Sequence, residues 1–187
     1  MSIEAGIAVS IVAPRRSALT AIIVRPKVST ILLMLLFGAA ATPMAHADAL
    51  TGGTAAYSRG HHVRAARGLS PLAQRGNAGA LARLGFMYEH GFGEPQSYTV
   101  AADLYARAAI RGNAYAQGML GLMYDKGHGV RQNFVLAYKW LILAAAHASG
   151  RERDVYLKLR DAVSSKLSAN EINEGQRLAL NWNSARW

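Results

Sequence analysis

Residues Gly76–Arg111 read GNAGALARLGFMYEHGFGEPQSYTVAADLYARAAIR, and Gly112–His147 read GNAYAQGMLGLMYDKGHGVRQNFVLAYKWLILAAAH. At an offset of 36 the identical pairs include Gly76/Gly112, Asn77/Asn113, Ala80/Ala116, Leu84/Leu120, Gly85/Gly121, Met87/Met123, Tyr88/Tyr124, Gly91/Gly127, Gly93/Gly129, Ala101/Ala137, Ala108/Ala144 and Ala109/Ala145. A period of this length marks a stacked repeat architecture. Each block reads as two helices. In the first, from about Asn77 to His90, Ala80, Leu84, Met87 and Tyr88 recur at i, i+4, i+7 and i+8, one face of a helix. Gly85 and Gly121 lie beside that face. A helical glycine costs about 1 kcal/mol against alanine, so close approach of a partner helix is expected there. Gly91-x-Gly93 and Gly127-x-Gly129 end the first helix in the left-handed conformation a C-cap uses. Ser97 and Asn133 are N-caps for the second helix, which carries Ala101, Leu104, Tyr105, Ala108 and Ala109.

The pattern G-N-x-x-A-x-x-x-L-G-x-M-Y-x-x-G-x-G, followed by A-x-x-(L/W)-x-x-x-A-A, resembles the Sel-1-like repeat, a relative of the tetratricopeptide repeat. The resemblance extends from about Tyr57 to Trp182. It implies an all-α protein of α/α hairpins stacked in a right-handed superhelix and used as a protein-interaction scaffold.

Terminal repeats are expected to be degenerate. Upstream, residues 54–75 form a first hairpin. Tyr57-Ser58-Arg59-Gly60 echoes Tyr88-Glu89-His90-Gly91, and Pro71 is expected to kink or split its second helix. Downstream, residues 151–187 supply capping helices: an amphipathic helix over 151–166, then a last helix over 171–182 opened by the capping box Ser168-Ala169-Asn170-Glu171. Ile172, Leu178, Leu180 and Trp182 are expected to dock that helix as a lid. The ending QRLALNW resembles the tail of exported bacterial members of the family.

The chain has 187 residues, 51% hydrophobic and 17% charged, enough to bury a core. Ile31–Ala41 is an apolar run preceded by Arg15, Arg16, Arg25 and Lys27 and followed by Ala45-His46-Ala47. These are the three parts of a secretory signal peptide, and the run is too short for a bilayer core of about 30 Å. Residues 1–47 are therefore expected to be a leader cleaved after Ala47, giving a mature repeat domain over 48–187 in the periplasm or outside the cell. The stretch before the apolar run is long, so a later start near Val24 or Val28 is an alternative. Arg15-Arg16 has the twin-arginine form but is separated from the run by Arg25-Pro26-Lys27. The mature part holds seventeen basic and ten acidic side chains, a formal +7, which favours anionic partners.

No catalytic set emerges. The chain has no cysteine, which excludes disulfides and thiolate sites. His61, His62, His90 and His128 lack helical ligand spacing and read as solvated turn residues rather than a metal site. No G-x-S-x-G, P-loop or H-E-x-x-H is present. Glu89, Asp103 and Asp125 read as lone surface carboxylates. The expectation is a non-enzymatic protein with no cofactor. Its binding face is the stripe beside the core face, on the concave first-helix surface: Arg83, Phe86 and His90 in one repeat, Tyr115, Met119, Leu122 and Lys126 in the next. Mixed apolar and basic residues of this kind suit an interface, although Phe86 and Leu122 also fit as filling between repeats. The expected partner is a protein or peptide of acidic character. Nucleic acid is not expected, because the basic residues are scattered without an aromatic stacking platform. Two other readings compete: a binder or modifier of the cell wall (peptidoglycan or a β-lactam-like ligand), and an envelope protein held by anionic lipid through its positive charge. β-Lactam binding is linked to cysteine-rich members with a disulfide in each repeat, and this chain has none.

Overall fold

Asparagine opens and glycine closes the first helix of each repeat. Asn77 and Asn113 hold extended backbone, and their Oδ1 atoms accept from the Ala80 and Ala116 N–H groups at 2.9 Å. Gly91 and Gly127 take φ of +71° and +73°, and their N–H groups return to the Met87 and Met123 carbonyls. Ser97 and Asn133 then cap the following helices by accepting from Val100 and Leu136 N–H. Gln96 and Gln132, a further identical pair at the offset of 36, donate to the Glu89 and Asp125 carbonyls at 2.8 and 2.7 Å and brace the two loops alike.

The computed structural model describes residues 43–182, and among them there are eight helices and no strand. They are α1 (Pro43–Ser58), α2 (His62–Gln74), α3 (Ala78–His90), α4 (Tyr98–Ile110), α5 (Ala114–Lys126), α6 (Phe134–His147), α7 (Gly150–Ser164) and α8 (Ala169–Leu180). Each helix from α1 to α6 packs on the next, and α8 packs on α6, so the described chain is an all-helical repeat solenoid. The charged and apolar parts of the predicted leader lie outside the described residues. Its small-residue site, Ala45–Ala47, falls within α1.

The core runs through the stack as alanine, leucine, methionine and tyrosine. Ala80, Leu84 and Met87 are buried, as are Ala116, Leu120 and Met123. Gly85 lies against the Tyr105 ring and Gly121 against Leu141, where an added Cβ would come within 2.9 Å. The close approach expected of these glycines is therefore present. The second glycine of each loop seals the joint between hairpins: Gly93 sits on the His62–Val63 backbone and Gly129 on the Tyr98–Thr99 backbone, both with positive φ.

Several sequence expectations are corrected. Tyr88 and Tyr124 are half-buried, so they edge the core rather than fill it. Pro71 does not split α2, which runs through it. Proline removes one N–H bond, and at the last turn of α2 that single loss is tolerated. The last helix covers Ala169–Leu180 rather than 171–182, because Ser168 caps it. Leu180 does not dock. It is 86% exposed, while Gly175 and Ala179 make the buried contact on α6. Trp182 closes the end: its indole meets Trp140 edge-on at 5.0 Å, and the Lys139 ammonium lies 4.3 and 3.9 Å from the two ring centroids. Lys139 is only 8% exposed, and burial lowers its pKa. The carboxylates read as lone have partners. Glu89 accepts from Tyr105, Asp125 from Lys166, and Asp103 pairs with Arg107.

Candidate functional site

The first helices of three successive hairpins, α1, α3 and α5, converge on a cavity of about 330 Å³. Tyr57 comes from α1. Gly79, Ala82, Arg83 and Phe86 come from one face of α3, and Asn113 and Tyr115 from the start of α5. The cavity opens where α3 carries Gly79; at the equivalent place in the next repeat stands Tyr115.

Arg83 is exposed, and its guanidinium carbon lies 5.5 Å from the centre of the Tyr57 ring. Phe86 meets the same ring edge-on at 5.9 Å. Behind them, Tyr115 packs edge-on to Tyr105 at 6.1 Å, and the Tyr105 hydroxyl donates to Glu89 at 2.8 Å. Burial, with Tyr115 and Glu89 beside it, pushes the Tyr105 hydroxyl far above the usual tyrosine range. Burial also raises Tyr115, with the Tyr105 hydrogen bond and the Arg83 charge acting in the opposite direction. Both phenols stay protonated at neutral pH and serve as hydrogen-bonding groups. The chemistry on offer is one cation, apolar ring faces and a phenol hydroxyl. Such a set can hold a carboxylate next to an apolar group.

The structure divides the predicted stripe. Arg83, Phe86 and Tyr115 line the cavity together. His90 stands beside it, its ring stacked on Phe86 at 4.2 Å and its Nδ1–H donating to the Phe86 carbonyl. Met119, Leu122 and Lys126 do not line it: Met119 packs half-buried on the core, Leu122 is half-buried, and Lys126 is exposed in the last turn of α5. Phe86 does both jobs that its pattern allowed, packing on the core with one side and lining the cavity with the other. Tyr57 was missed as a site residue. Its only signal was its echo of Tyr88 in a hairpin too degenerate to align throughout. Among the described residues, no group of three or more histidines and carboxylates could hold a metal ion, and no helix is long and apolar enough to cross a membrane.

Comparison with known proteins follows the same lines. The Sel1 repeat family matches residues 78–113 and 114–149, a phase two residues later than the blocks read from the sequence. Comparison with the curated proteins gives no match. Among solved structures, the chain is similar to a protective antigen of uropathogenic Escherichia coli strains displaying an SLR fold (TM-score 0.68, 23% identity, 73% of this chain, 29% of that chain). It is also similar to a Sel1 repeat protein from Oxalobacter formigenes (TM-score 0.57, 26% identity, 73% of this chain, 56% of that chain). The chain thus spans under a third of the first of these proteins and about half of the second. Sel1 repeat proteins are commonly protein-interaction scaffolds, and the fold is typically non-catalytic. Residues 78–149 thus carry two Sel1 repeats, and the described helices share the fold of solved Sel1 repeat proteins.

Proposed function

We propose that this chain is an exported scaffold of the cell envelope that holds an acidic, extended segment of a partner protein along its first-helix face. The observation that carries this reading is the cavity of Tyr57, Arg83, Phe86 and Tyr115, which presents the Arg83 guanidinium, with no ion pair among the described residues, beside apolar ring faces. Stacked repeats present extended surfaces of this kind for binding. The lining varies between the two repeats while the core positions repeat, as expected when packing sets the core and a ligand sets the lining. The basic mature chain would steer an acidic partner, an effect that salt weakens.

The test begins with export. N-terminal sequencing of the protein recovered from a periplasmic or culture fraction should start at Asp48. An intact 1–47 segment in the membrane fraction overturns that part of the reading. Proteins captured from the same fraction on the immobilised chain should then be compared between wild type, Arg83→Glu and Lys126→Glu. A partner lost with Arg83→Glu and kept with Lys126→Glu supports the cavity. A partner that binds Arg83→Glu as tightly as wild type places the contact elsewhere on the molecule.

A further inference from the structure

Charge is distributed unevenly along the stack. Residues 49–88 carry five arginines and no carboxylate, whereas residues 89–182 carry nine carboxylates among eleven basic residues. The ion pairs Arg107–Asp103, Lys166–Asp125, Arg160–Asp161 and Arg177–Glu174 all lie in the second stretch. In the first hairpin Arg59, Arg64 and Arg67 are exposed, and no hydrogen bond or ion pair engages their guanidinium groups among the described residues.

These arginines share one face. A groove of about 710 Å³, floored by Gly52, Gly53, Ala56 and Gly68, is rimmed by Arg59, His61 and Arg64. A second, of about 500 Å³, contains His61, Val63, Arg64 and Arg67. His61 and Arg64 belong to both, so the two grooves form a continuous cationic surface. The floor is nearly free of side chains, which lets a flat partner come close. Val63, in the first turn of α2, is 57% exposed among the cations. An apolar residue ringed by arginines suits the boundary between lipid headgroups and acyl chains.

We infer that this face of the first hairpin docks on an anionic lipid bilayer, with Arg59, His61, Arg64 and Arg67 meeting the headgroup phosphates and Val63 entering the interface. A nucleic acid fits this face less well. Tyr57 and His62 turn into a ring cluster with Phe86 and Phe92, and no exposed tyrosine, tryptophan or phenylalanine stands among the arginines for a base to stack on.

The test is co-sedimentation of the protein, as recovered from the expressing cell, with vesicles of phosphatidylglycerol and phosphatidylcholine or of phosphatidylcholine alone. Partitioning should favour the anionic vesicles and fall as salt is raised to about 0.5 M. Each arginine near an anionic surface contributes roughly a fivefold gain, so Arg59→Gln/Arg64→Gln/Arg67→Gln should lower partitioning about a hundredfold. Val63→Ser alone should lower it severalfold. A control with the same loss of charge, Arg131→Gln/Arg151→Gln/Arg153→Gln, should stay within about threefold of wild type if position rather than net charge matters. Circular dichroism should show both triple variants as helical as wild type. Equal losses in the two triple variants, an unchanged first triple variant, or capture of RNA with no preference for anionic vesicles would each overturn the inference.

Discussion

Gly112 and Gly129 share a left-handed backbone and differ in their surroundings. Gly112, at φ +78°, has nothing within 4 Å of where a Cβ would stand, whereas Gly129, at φ +69°, is pressed against the Tyr98 backbone. Gly112→Ala should therefore cost only the conformational penalty, about 1–2 kcal/mol. Gly129→Ala adds a collision with main chain that cannot rotate away, and should cost a further ~1–3 kcal/mol. Urea unfolding of the two variants decides the matter; equal losses would mean that the joint at Gly129 is not tight. The leucines give a matched comparison. Leu84 and Leu120 fill equivalent buried slots, so Leu84→Ala and Leu120→Ala should each cost about 2–5 kcal/mol. A loss below about 0.5 kcal/mol at both would mean that neither packs in a core.

At the scale of the element, capping separates helices that look alike in sequence. Asn113 accepts from Ala116 N–H, whereas Ser149, before α7, makes no side-chain cap bond. Asn113→Ala should cost about 1 kcal/mol and Ser149→Ala no more than a few tenths, read from thermal unfolding. The capping box of α8 adds a pH dependence. Hydrogen bonds from the Ser168 N–H and hydroxyl hold the Glu171 carboxylate below its ordinary range. Its folded pKa thus lies under its unfolded value of about 4.3, so its contribution is present above that value and fades as pH falls through the folded pKa. Glu171→Gln should lower the melting temperature at pH 7 and make less difference as the pH drops below about 4. An equal effect at pH 7 and at pH 3 would show that the carboxylate is not engaged.

Across the whole molecule, α7 and α8 cover α6, which carries the most apolar helical sequence of the stack. Tyr156 of α7 reaches Gly118 of α5, Gly175 of α8 lies on Tyr138 of α6, and Trp182 on Trp140 of α6. Repeat proteins need terminal elements with a polar outer face to stay soluble. A chain ending at Ala148 should therefore expose Tyr138, Trp140 and Leu141 and self-associate, visible as a larger species by size-exclusion chromatography. A monodisperse monomer would show that the α6 face needs no cover.

What the sequence determined by itself was the repeat: its period, its two helices, its caps and its turns. These follow from local chemistry, in which one asparagine caps four residues of backbone and one glycine supplies a positive φ. The same local reading identified Arg83, Phe86 and Tyr115 as a stripe, because stripes follow from helical periodicity. Tertiary structure decided which members of that stripe meet. Tyr57 joins them from a hairpin whose sequence has drifted, while Met119 turns to the core and Lys126 stands apart at the end of α5. It also decided the carboxylates, whose partners Tyr105 and Lys166 lie 16 and 41 residues away in the chain, and the end of the stack, where Leu180 faces outward while Gly175 and Ala179 seat the last helix. Periodicity sorts residues onto faces, but the crossing of one helix over another selects which residues on a face are covered, and that crossing is set by side chains on both partners at once.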